Sequence, residues 1–155
     1  MRTVPPSASA GEAAGLRGRA LLEVEGLEAG YGMGRVLFGV SLCVRRGEVV
    51  ALLGRNGAGK STTLKAIMGI VPPTAGRVVL DGRDVSRLPS HRIAAAGVGY
   101  VPQDRRIFPD LTVRENLEVG RRGTARGDTP WGVLRVLALF PALGPLIHRR
   151  GESLS

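Results

Sequence analysis

At 155 residues and 43% hydrophobic content, the chain is long enough for one domain with a real core and too short for two comfortable ones. Aromatics are only 4%, so the core must be aliphatic, and no apolar run approaches the roughly 20 residues that span a bilayer. The formal charge of +9 is almost all arginine, never more than two in a row, which reads as scattered basic residues rather than a nucleic-acid or lipid surface, and the single Cys43 excludes an internal disulfide framework.

In chain order, residues 1–19 are rich in Pro, Ser, Ala and Gly and lack an apolar signal core, so a disordered lead-in is expected. "LLEVEGLEAG" (21–30) alternates Leu22 and Val24 with Glu23 and Glu25, the pattern of a half-buried strand. "RVLFGVSLCV" (35–44) is a second strand, joined to the first by the Gly-rich "AGYGMG". "GEVVALLG" (47–54) is a continuous apolar run, expected as a strand buried on both faces of a parallel sheet. It feeds a helix over 60–69, stopped by Gly69 and by Pro72 and Pro73. "GRVVLDG" (76–82) is a strand closed by an Asp-Gly turn. A short helix over 89–97 takes Ser90 as its N-cap and Gly97 as its stop. "VGYVPQ" (98–103) is a further buried strand. A helix over 111–120 has Thr112 and Glu115 at capping-box spacing. After a loop at 124–128, a helix over 129–140 has Thr129 as cap and Pro130 at its first position. Strands, a strand-loop-helix and then helices make an α/β protein.

The strand-loop-helix carries the chemistry. "GRNGAGKST" fits G-x-x-x-x-G-K-[ST] through Gly54, Gly59, Lys60 and Ser61. A polyphosphate needs many donors at short range with no bulky side chains between them. Gly54, Gly57 and Gly59 let successive N–H groups aim inward, and the helix start adds its positive end. A lysine in the first turn of a helix has no folding rationale, because the macrodipole is already positive there; a bound anion supplies one. The expected nucleotide-binding set is therefore Gly54, Arg55, Asn56, Gly57, Ala58, Gly59, Lys60, Ser61 and Thr62, with Lys60 on the β- and γ-phosphates and the Ser61 hydroxyl on Mg²⁺.

Three further features bear on the reaction. Tyr31, between Gly30 and Gly32, is either an ordinary turn tyrosine or a ring on which a purine stacks. Gln103, after a buried strand, is either a polar loop residue or an amide that ligates Mg²⁺ and positions the attacking water. Arg105 and Arg106 precede Ile107 and Phe108, giving either a solvated charge pair with Phe108 in the core or a docking surface coupled to the nucleotide.

Together these segments resemble the ATPase subunits of ABC transporters, from about residue 20 to the end. "YGMGRVLFGVSL" is similar to that family's adenine-stacking loop, "LLGRNGAGKSTTLKAIMGI" to its Walker A element and "GYVPQ" to its Q-loop. "VPPTAGRVVLDGRDV" and "GVGYVPQDRRIFPDLTVRENLEVG" resemble the second ATP-binding subunit of branched-chain amino acid importers. The resemblance implies a P-loop NTPase fold, with residues 20–155 forming the N-terminal part of an ABC-type nucleotide-binding domain. It also implies ATP and Mg²⁺ as cofactors and ATP hydrolysis that energises uptake of branched-chain amino acids or similar small solutes. The implied partners are a second ATP-binding subunit, identical or paralogous, and a membrane permease contacted near Arg105–Phe108. No nucleic acid is expected, and the location implied is the cytoplasmic face of the cell membrane. An ABC-type ATPase that moves no solute, or an inactive nucleotide-binding fragment, are the alternatives.

The family continues through a signature beginning Leu-Ser-Gly-Gly, a Walker B aspartate, a catalytic glutamate and a switch histidine. Leu154 and Ser155 match the first two signature residues, and neither His91 nor His148 matches the switch position. The ending "GESLS" is thus expected to interrupt a longer domain, and these 155 residues alone to bind ATP weakly and hydrolyse it negligibly.

Overall fold

The computed structural model describes residues 20–104, 106–121 and 131–154, and the chain divides into two compact units after Tyr100. The expectations for residues 1–19, the loop at 124–128, Thr129 and Pro130 fall outside the described residues.

The first unit is a four-stranded antiparallel sheet in the order β2-β1-β3-β4, with helices α1 and α2. Strands β1 (Ala20–Tyr31) and β2 (Gly34–Arg45) form a hairpin whose closing pair is Tyr31 and Gly34. Simple alternation would send Gly26 and Glu28 to the same face as Val24. Instead the ladder bulges after Val24, where the Gly26 amide donates to the Ser41 hydroxyl at 2.9 Å. The extra residue resets the parity, so Val24, Leu27 and Ala29 all face inward. A matching irregularity at Gly39 buries Leu37 and Val40 and leaves Phe38 exposed.

Onto this face pack α1 (Lys60–Ile67), through Ala66 and Ile67, and α2 (Ser90–Ala95), through Ile93. Leu27 and Leu37 are fully buried there, each contributing roughly 1.5–3 kcal/mol by burial. β3 (Ala75–Leu80) returns beside β1, and the Asp81-Gly82 turn leads into the short β4 (Arg83–Asp84), as the Asp-Gly signal predicts. Ser90 is not the N-cap of α2: Pro89 holds that position and Ser90 is the first helical residue, with no side-chain cap bond. Proline favours extended backbone at the helix entry, which displaces the serine by one place.

Neither 47–54 nor 98–103 forms a strand among the described residues. Val49 is 96% exposed and Val101 91%, although Val98 and Tyr100 do pack against the core. An apolar run registers burial, but a parallel strand needs a parallel neighbour for its ladder, and the described sheet is antiparallel throughout.

The second unit holds α3 (Val113–Gly120), α4 (Val133–Leu139) and two 3-10 turns, Pro141–Leu146 and Gly151–Leu154. α3 starts with the expected capping box: the Thr112 hydroxyl accepts from the Glu115 amide at 3.2 Å, and the Thr112 amide donates to the Glu115 carboxylate at 2.7 Å. Hydrogen bonds from the Thr112 hydroxyl and then its amide hold the Glu115 carboxyl below its ordinary 4.5, with a lesser contribution from Arg150. Because the folded value is depressed, this stabilisation is complete above 4.5 and fades as pH falls below it. Thr112→Ala is expected to cost about 1 kcal/mol in urea unfolding at neutral pH and to flatten the loss of stability on acidification. An unchanged acid slope in that variant would count against the cap.

Candidate functional site

The loop before α1 has the geometry of an anion cradle. Gly57 and Gly59 adopt φ of +82° and +89°. The amides of Gly57, Gly59, Lys60, Ser61 and Thr62 donate to no acceptor among the described residues, since the first helical bond to a carbonyl of this turn comes from Thr63, to Gly59 at 2.8 Å. Five open donors therefore lie at one helix start. That start has no acidic residue in its first turn and no side-chain cap. The arrangement invites an anion.

Lys60 completes it. Its Nζ donates to the carbonyls of Gly54 and Arg55, each at 2.8 Å, so the stem folds back along the loop. Two of its three N–H groups are used this way, leaving one for a ligand. Ser61, the next residue, is exposed, so its hydroxyl is accessible to a metal held by phosphates. Among the described residues no cluster of His, Cys, Asp or Glu could hold a metal by itself. The donors present are oxygens, from Ser61 and from an incoming polyphosphate, and such a set fits Mg²⁺.

Two supports of the loop are structural. The buried Thr63 hydroxyl donates to the Gly59 carbonyl at 2.9 Å, tying the loop to the helix. A Cβ placed on Gly59 would lie 2.8 Å from the Leu37 side chain, so β2 backs the loop directly. Thr63 was not among the candidates read from the sequence; the signal for it is a threonine four residues after the last glycine, the spacing of a back-bond to the preceding turn.

Tyr31 stands at the tip of the β1–β2 hairpin and is 51% exposed as a residue. Gln103 is exposed and belongs to the second unit, as do Ile107 and Phe108, which are both exposed rather than in the core. Arg105 lies outside the described residues, and Arg106 is paired with Asp104 at 2.6 Å.

The family model for ABC transporters matches residues 37–155. The lipopolysaccharide export system ATP-binding protein LptB of Haemophilus influenzae is 47% identical over 97 residues, 63% of this chain and 40% of that protein. A probable branched-chain amino acid transport ATP-binding protein, LivF of Archaeoglobus fulgidus, is 33% identical over 135 residues, 87% of this chain and 57% of that protein. A dimeric structure of a bacterial ABC transporter cassette superposes with a TM-score of 0.66 at 26% identity, covering 86% of this chain and 63% of that one. The chain spans about two-fifths of the length of the first curated relatives it matches.

Proposed function

This chain belongs to the ABC transporter family, an α/β P-loop NTPase fold, and from that premise we propose that it is the nucleotide-binding part of a transport-coupled ATPase subunit. The unpartnered amides of Gly57, Gly59, Lys60, Ser61 and Thr62, on the same loop whose Gly54 and Arg55 carbonyls hold the Lys60 ammonium, carry this reading. The amides and Lys60 hold the phosphate tail, and Lys60 spreads charge from the β- and γ-oxygens. The Ser61 hydroxyl would hold Mg²⁺, which when bound would neutralise phosphate charge. Tyr31 takes the adenine face. The reaction is then positioning and electrostatics, with little covalent work for the protein.

The partners in this reading are a second ATP-binding subunit and a membrane permease, the latter met near residues 105–108, of which Ile107 and Phe108 are exposed. The subunit works peripherally on the cytoplasmic face of the membrane; no helix among the described residues is long and apolar enough to cross it. The solute is a branched-chain amino acid or a similar small molecule, a reading supported by the relative that aligns with most of this chain. Lipopolysaccharide export is the second reading, supported by the higher identity of relatives that align with a shorter stretch.

Titration calorimetry with Mg-ATP tests the site: saturable binding that is lost on adding excess EDTA supports it, and no heat from a folded sample refutes it. Disrupting the gene separates the solutes. Lost uptake of labelled leucine supports the importer. Normal uptake with lipopolysaccharide retained in the inner membrane supports the second reading.

A further inference from the structure

One side chain in the second unit makes more hydrogen bonds than its place on an exposed helix requires. Asn116, on the first turns of α3, accepts from the Phe108 amide at 2.8 Å through Oδ1. Its Nδ2 donates to the carbonyls of Phe108 at 3.0 Å, Leu111 at 3.1 Å and Thr112 at 3.0 Å. The side-chain amide thus pairs with both backbone groups of Phe108, as a peptide in an antiparallel ladder would, and two N–H groups serve three carbonyls through a shared bond. Meanwhile the segment is braced from a second side: the Gly151 amide donates to Leu111 at 2.8 Å and the Glu152 amide to Pro109 at 3.1 Å.

The Phe108 ring gains nothing from this in burial, since 54% of the residue remains exposed beside an equally exposed Ile107. A fold normally leaves an exposed turn to water. Here it spends a side-chain amide, an acceptor and two donors, to fix the backbone under an apolar pair that it does not bury. Fixing a surface residue lowers the conformational cost when a partner orders it.

We propose that Asn116 is a positioning residue that holds Ile107 and Phe108 in the conformation in which they dock. The inference rests on the reading above that this segment meets the permease. It predicts that Asn116→Ala weakens docking through the backbone of Phe108, without altering the nucleotide cradle.

Amide hydrogen exchange on the full chain, read residue by residue, tests the positioning. In the unsubstituted protein the Phe108 amide should exchange more slowly than that of Ile107, which has no hydrogen-bond acceptor among the described residues. In Asn116→Ala the Phe108 amide should exchange about tenfold faster. The Val113 and Gly151 amides, bonded to main-chain carbonyls, should be unchanged, as should affinity for Mg-ATP. Equal rates at 107 and 108 in the unsubstituted protein, or a uniform acceleration in the variant, would overturn the proposal. Co-purification with a co-expressed ABC permease then compares Asn116→Ala with Phe108→Ser. Loss in both supports the proposal. Loss in Phe108→Ser alone refutes it and leaves the docking reading intact. Retention in both removes the docking reading, and this inference with it.

Discussion

Replacing Lys60 with methionine is expected to weaken Mg-ATP binding by about 10–10²-fold, the loss of the one charge-assisted hydrogen bond its ammonium has free for a ligand, at roughly 1.5–3 kcal/mol. Methionine keeps most of the stem and removes the ammonium. In the protein without nucleotide that ammonium lies at the positive end of α1 with no carboxylate in the first turn, an unfavourable location, and the Gly54 and Arg55 carbonyls are its partners among the described residues. The two effects nearly offset, so stability without nucleotide should change by less than about 1 kcal/mol. The variant is therefore expected to unfold at nearly the parent temperature and to lose the rise in Tm that Mg-ATP gives the parent. A dissociation constant within about threefold of the parent's would show that the row of amides suffices without the lysine, and would overturn its assigned role.

Much of this site was legible in the sequence because its parts are local. A glycine-rich turn between an apolar run and a helix needs only nine consecutive residues, and in "GRNGAGKST" Gly57 and Gly59 hold positive φ while Gly54 does not, and the Ala58 amide is turned back to the Arg55 carbonyl. The capping box at Thr112 and Glu115 was readable for the same reason, as was the Asp81-Gly82 hairpin. What was not readable is non-local. Parity along β1 depends on a bulge held by Ser41, fifteen positions away from Gly26, so alternation located the strand but not which later residues it buries. The runs at 47–54 and 98–103 state that they prefer burial, but a ladder requires a neighbour that composition cannot name. Asn116 escaped notice because an asparagine in a helix reads as a neutral surface residue until its four partners are seen. The resemblance to branched-chain amino acid importers located the family, while the solute remains a separate matter, since a lipopolysaccharide export relative shares more identity over a shorter stretch.

Gly57→Ala and Gly59→Ala are expected to damage the same loop in different ways. Both glycines hold positive φ, where an alanine costs roughly 1–2 kcal/mol of backbone strain. A Cβ on Gly57 meets nothing within 4 Å, so strain is the whole stability cost there; the methyl instead occupies the open space that phosphate oxygens would enter. A Cβ on Gly59 would approach Leu37 Cδ2 to 2.8 Å, and Leu37 is only 1% exposed, so it has no room to swing aside. Overpacking then adds about 1–3 kcal/mol, and Gly59→Ala should lower stability by roughly 2–5 kcal/mol in total. Both variants should bind Mg-ATP at least about tenfold more weakly, but only Gly59→Ala should unfold markedly earlier in urea. A double-mutant cycle isolates the cause. Leu37→Ala in the parent empties a buried site and is expected to cost about 2–5 kcal/mol. In the Gly59→Ala background it also relieves the clash, so it should cost at least about 1 kcal/mol less. If the two changes prove additive, the loop is not braced on β2 through Leu37, and the steric part of this account is wrong.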